Sequence, residues 1–146
     1  MEQISNPSLS TEQQDAEEIL IRHVSNDLKV NLTKDRPIPG ETSLEVDGYC
    51  FDHRIMCEAW AHIGVPKSAQ RNKVMTDALK MIFIEKSLGM EFQKILIFAD
   101  KEASKPFCGN TWQAKCLKAF NIETRVVEPP PNIRDRIIEA QKRQYR

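Results

Sequence analysis

The residues with most chemistry in them are Glu45, Asp47 and Glu58, followed by His62, in the stretch EVDGYCFDHRIMCEAWAH. Its alternation reads as two strands around a turn at Asp52 and His53, which sets Asp47 directly opposite Glu58. Leu44, Val46 and Gly48 then share a face with Ile55, Cys57, Ala59 and Ala61, the expected core side. Glu45, Asp47 and Tyr49 share the other with Met56, Glu58, Trp60 and His62. Like charges on facing strand positions repel by a few tenths to about 1 kcal/mol, so a compensating partner is expected. Mg²⁺ suits the role, because it takes oxygen ligands, needs only one or two carboxylates, and completes its shell with water and a substrate phosphate. The competing reading is a solvated acidic face that needs no partner.

Other candidates carry a plainer alternative beside the functional one. His62 has the chemistry of a base or metal ligand, and equally that of a hydrogen-bonded, partly buried histidine. Trp60 reads as a packing residue before a base-stacking platform. Asp100 ends a buried strand ahead of KEASKPFCGN, where open α/β sheets often bind ligands, but no glycine-rich phosphate loop is present. Cys50, Cys57, Cys108 and Cys116 form no CxxC pair and read as reduced thiols in or near the core.

These residues must be held by a single domain. The chain has 146 residues, 40% of them hydrophobic, and 21 basic side chains balance 21 acidic ones. That balance disfavours strong nonspecific nucleic-acid binding while leaving room for a local basic surface. No apolar run reaches membrane-spanning length, and the N-terminus lacks the basic start and apolar middle of a signal peptide, so the expected location is cytoplasmic.

Residues 1–10 read as a flexible N-terminus and residues 11–146 as one domain. Ser10 or Thr11 caps a first helix through Leu28. A short strand and a Pro/Gly loop precede the hairpin, and a long helix after it ends at Gly89. KILIFAD is a strand buried on both faces. Asn110 or Thr111 caps a helix to about Phe120, whose Trp112, Cys116, Leu117 and Phe120 form an apolar stripe for core or interface. TRVVE is a strand, and a last helix starts near Asn132 with Arg134, Arg136, Lys142, Arg143 and Arg146 at its basic end.

An acid on the first helix, an Asp on one strand, a Glu on the next, then a helix and a buried strand resemble the PD-(D/E)XK, or restriction-endonuclease-like, nuclease superfamily over about Asp15 to Asp100. The resemblance implies an α/β fold with a mixed sheet flanked by helices, here with an additional C-terminal helix-strand-helix extension. It also implies Mg²⁺-dependent hydrolysis of DNA phosphodiesters. Asp47 matches the Asp of the first half-motif, Glu58 the acid of the second, and Glu18, or Glu17, the acid of the first helix; these are the metal residues it implies. Val46 replaces the customary Pro, and Trp60 stands where the motif has Lys.

Some members supply that lysine from the next helix, where Gln70, Lys73, Asp77 and Lys80 recur at helical spacings. Lys73 is the expected substitute and Gln70 resembles the glutamine at the start of this helix. Lys80, about two turns further along than Lys73, is not expected to replace it. The same residues also suit a solvated face laced by side-chain pairs. Three functions stay open: a Mg²⁺-dependent nuclease acting on DNA, a catalytically silent member binding nucleic acid or a partner protein, and a structural subunit that forms a homodimer through a later helix.

Overall fold

The structure, a computed structural model, describes residues 11–144; the expected flexible segment 1–10 and the basic Arg146 lie outside the described residues. The first helix, α1 (Thr11–Leu28), leads to a short strand β1 (Thr33–Asp35) and the hairpin strands β2 (Val46–Cys50) and β3 (Ile55–Trp60). Then come α2 (Ser68–Leu88), β4 (Gln93–Phe98), a short α3 (Lys101–Ser104) with a 3-10 turn at Lys105–Phe107, α4 (Trp112–Ala119), β5 (Ile122–Val126) and α5 (Pro131–Gln144).

The five strands form one mixed sheet in chain order, β1-β2-β3-β4-β5. Its first three strands are antiparallel, and β3, β4 and β5 are parallel. Parallel strands need crossovers, which α2 and the α3–α4 segment supply. The fold is therefore α/β, with an open mixed sheet flanked by helices. No helix among the described residues is long and apolar enough to cross a membrane.

Helices cover both faces, so the hairpin does not have one core side and one acidic side. Ile55, Cys57, Ala59 and Ala61 pack with Ala16, Leu20 and Val24 of α1 and Ile137 of α5. Tyr49 and Met56, expected on the acidic face, are buried with Val74, Ala78, Met81 and Ile84 of α2. Val46 belongs to this second core as well, against expectation. The cause is a bulge: Thr33 pairs with Tyr49 but Asp35 with Val46, so β2 carries one more residue than β1 between the two pairs and its alternation slips.

Gly48 is required where α1 crosses β2. A Cβ there would lie 3.1 Å from Ile21 Cδ1 and 3.3 Å from Leu32 Cβ, so glycine lets the helix settle onto the strand. That close approach carries Glu17, one turn before Ile21, to the edge of the hairpin.

The long helix is set at both ends. Gln70 Oε1 accepts from the Lys67 backbone N–H at 2.8 Å in a capping box, and Gly89 closes the C-terminus in the left-handed region at φ 68°. The α3 and 3-10 turn between β4 and α4 were not expected from the sequence; Asp100 begins the first and Pro106 sits within the second. Thr111 caps α4 as expected, its Oγ1 accepting from Ala114 N–H at 3.1 Å. Of the α4 stripe, Leu117 is in the core, whereas Trp112 and Phe120 are 65% and 51% exposed and lie outside it.

Candidate active site

The hairpin register sets Gly48 against Cys57 and Cys50 against Ile55, which makes Asp47 and Glu58 facing positions as expected. Beyond the Gly48–Cys57 pair the carboxylates enter the hydrogen bonding between the strands. Asp47 N–H donates to Glu58 Oε1 at 3.1 Å, and Ala59 N–H donates to Asp47 Oδ2 at 2.9 Å. The two acids thus bridge the strands at a fork, with Asp47 Oδ1 and Glu58 Oε2 left outside these two hydrogen bonds.

The fork opens into a cleft of about 360 Å³ between β2, β3, α1 and α2. From α2 come Lys73, Asp77 and Lys80, spaced by four and three residues and so on one side of the helix. From α1 comes Glu17. Glu18, the first-named choice for the helix acid, is exposed and lines a neighbouring recess, as the next residue of a helix must point away. Gln70 is absent from the lining of the cleft and serves the start of α2.

Lys73 lines the cleft but is exposed. The ammonium that reaches the fork is that of Lys80, in ion-pair contact with Glu58 Oε2 and 3.8 Å from Asp77 Oδ1. The expectation that Lys80 lies too far along is corrected. A separation of two turns returns to the same side of the helix, and α2 runs beside β3 for long enough that the later lysine meets Glu58.

Four carboxylates, Glu17, Asp47, Glu58 and Asp77, share this cleft with two lysines. The surplus shows in their proton affinities. Burial, then the Asp47 charge, pushes Glu17 up to about 8 against the attraction of Lys34 and Lys73. Burial, Asp47 and Asp77 raise Glu58 well above the ordinary carboxylate range, outweighing Lys80. Burial raises Asp77 to about 6, with Lys80 and Lys73 opposing and Asp47 assisting. Burial alone would weaken the hold of Lys80 on its proton, but Glu58, Asp77 and Asp47 reverse this and the net shift is upward. The ammonium is therefore retained, and the pair is one cation among crowded acids.

The chain matches no family model, no curated protein and no solved structure. What the cleft can do must be read from its own side chains.

Among the described residues no three His, Cys, Asp or Glu side chains converge as a ready-made metal site. The fork nonetheless offers the donor type a hard cation prefers. Asp47 and Glu58 supply carboxylate oxygens, and water with a phosphate can complete an octahedral shell around so small a set. The uncompensated acids nearby are the electrostatic condition that favours such an ion.

His62 is buried, stacks on Trp60 with ring centroids 4.0 Å apart, and has Nε2 3.4 Å from Gln13 Nε2. Burial, then the Lys73 charge, lowers its pKa to about 4, so it stays neutral. Asp100 is engaged by Gly64 N–H at 2.9 Å and Arg134 Nη1 at 3.1 Å, and Ala103 N–H also donates to it. Burial opposes its charge but those donors prevail and hold its pKa below the ordinary value, so Asp100 is a clamp between β4 and α5. Two further basic residues of α5 meet acids within the chain, Arg143 on Glu12 at 2.9 Å and Lys142 on Glu139 at 3.5 Å. The four cysteines are free, Cys57 buried and Cys108 exposed.

Proposed function

We propose that the protein is a divergent restriction-endonuclease-like nuclease that hydrolyses DNA phosphodiesters with Mg²⁺. The observation that carries the reading is the fork itself: Asp47 and Glu58 bridge two parting strands, with the Lys80 ammonium on Glu58 at the head of an open cleft. A fold needing only a hairpin would not gather four carboxylates around two lysines there, since like charges in a half-buried site oppose folding.

In this mechanism Asp47 would hold the ion through Oδ1, and Glu58 through Oε2, the oxygen that Lys80 contacts here and would give up to the ion. When bound, Mg²⁺ polarises the scissile phosphate and makes its water a better nucleophile. Lys80 brings a positive charge to the phosphate oxygens, where negative charge grows as water adds. Glu17, which holds a proton near neutral pH, can donate it to the leaving oxygen, while the attacking water gives its proton to solvent in the open cleft. Lys73, at the exposed side of the cleft, attracts the DNA backbone.

The test is calorimetric titration with Mg²⁺ and Mn²⁺, followed by cleavage assays on DNA. Wild type should bind the ion and gain melting temperature by mass action. Asp47→Asn should lose that gain, and Glu58→Gln should lose cleavage while staying folded. Absence of divalent-ion binding at millimolar metal would sink the proposal. A silent, DNA-binding member is favoured by Trp60 at the motif's lysine position; ion and DNA binding without cleavage would select it.

A further inference from the structure

Beside the cleft lies a second recess, of about 500 Å³, between α1 and β1, and Glu17 and Asp47 line both. A group seated in it is therefore adjacent to the fork. Its apolar surface comes from Ile21, Val30 and Leu32. Asn26 and Asn31 contribute amides, which donate and accept as base edges do, and Arg22 and Lys34 contribute two cations against the three carboxylates of Glu17, Glu18 and Asp47. The volume falls within the ordinary range for small-molecule sites, and the apolar wall and amide edge match base and base edge, while Arg22 and Lys34 are the groups left for a phosphate whose charge an ion at Asp47 would also meet.

We infer that this recess seats one unpaired nucleotide of the DNA strand whose neighbouring phosphate lies at Asp47 and Glu58, an assignment that rests on the proposed nuclease reading. A base stacked and paired within a duplex cannot enter a recess walled by a helix and a strand. Entry requires an unstacked base, as in a single strand or at an open end, and a base already unpaired avoids the unstacking and unpairing that extrusion requires. The substrate class narrows from DNA in general to DNA with single-stranded character.

The experiment is fluorescence anisotropy with a labelled short oligothymidylate in Ca²⁺, competed against a covalently closed duplex dumbbell without free ends. The oligothymidylate should bind at least about tenfold more tightly than the dumbbell. Asn31→Trp, which fills the recess, should remove most of that preference, and Arg22→Ala should weaken binding and reduce its salt dependence by about one counterion. A thermal melt of each variant checks that it is folded. Equal affinity for strand and dumbbell, or an unchanged preference in folded Asn31→Trp and Arg22→Ala, would overturn the assignment. The two readings fail separately: strand-selective binding without Mg²⁺-dependent cleavage removes the nuclease and leaves the recess, whereas cleavage without strand preference does the reverse.

Discussion

Among the described residues, α2 makes two part-buried lysine–carboxylate pairs with the sheet, and they behave differently. Lys94 on β4 is 3% exposed and lies 2.8 Å from both oxygens of Glu85, whose Oε2 also accepts from Phe92 N–H at 2.7 Å. One cation meets one anion, and both carboxylate oxygens are engaged. Lys80, about one and a half turns before Glu85 on the helix, and its partner Glu58 on β3 share their site with Asp47, Asp77 and Glu17 and open on a cleft. The same two residue types thus serve as a closure of the fold in one place and as an unbalanced site in the other. The difference is the surplus of acids and the access of solvent, neither of which belongs to the pair itself.

Breaking each pair in turn tests that contrast most strongly. Lys94→Met leaves Glu85 without its counter-charge, and loss of one partner of a buried pair costs about 3–5 kcal/mol. Lys80→Met should cost less than about 2 kcal/mol, because burial and the neighbouring acids already raise the Glu58 pKa and a carboxyl that loses its cation there can take up a proton. Urea unfolding at neutral pH measures both. Equal losses would mean that the fork is as structural as the Lys94 pair.

Parts of this contrast were legible in the sequence. The period-two alternation and the turn at Asp52 and His53 fixed Asp47 opposite Glu58, because strand register follows from turn position. Placing Glu17 rather than Glu18 in the cleft was within reach: Glu17 lies four residues from Gln13 and from Ile21, both buried. Three features were not legible. The bulge that moves Val46 depends on how β1 pairs, and Thr33–Asp35 is too short to announce its register. Whether Lys73 or Lys80 meets Glu58 depends on where α2 lies along β3, a tertiary quantity that helical spacing leaves open. The sharing of Asp77 between helix surface and cleft depends on the same placement.

The wall of the cleft should also respond to acid. His62, with its pKa held near 4 against 6.5 for the free side chain, is neutral when folded and takes up a proton when unfolded between those values. Its contribution is complete above about pH 6.5 and is lost as pH falls towards about 4, a change on the order of 2–3 kcal/mol. His62→Gln should flatten this part of the stability profile, and the difference between variant and wild type cancels the titration of other acids. A parallel profile for the two proteins would show that His62 titrates freely, and the Trp60–His62 wall would then be looser than its stacking indicates.

The smallest expected effect has the most telling sign. Glu17 has its pKa raised from 4.5 to about 8 by burial and by the Asp47 charge. The folded protein therefore holds a proton there that the unfolded chain gives up. The linked stability is present below about pH 4.5 and is lost as pH rises through about 8. In EDTA, Glu17→Gln removes that loss and should leave the protein more stable than wild type by about 1 kcal/mol above pH 8, a figure discounted because the side chain is only half-buried. Near pH 4 the two should melt alike. Glu85→Gln should do the opposite and destabilise at neutral pH, since its carboxylate is the counter-charge of Lys94. Melting curves of the three proteins across pH measure both differences. If Glu17→Gln also destabilises at alkaline pH, the cleft holds no surplus of charge, and the contrast between the two lysine pairs collapses to one of solvent access alone.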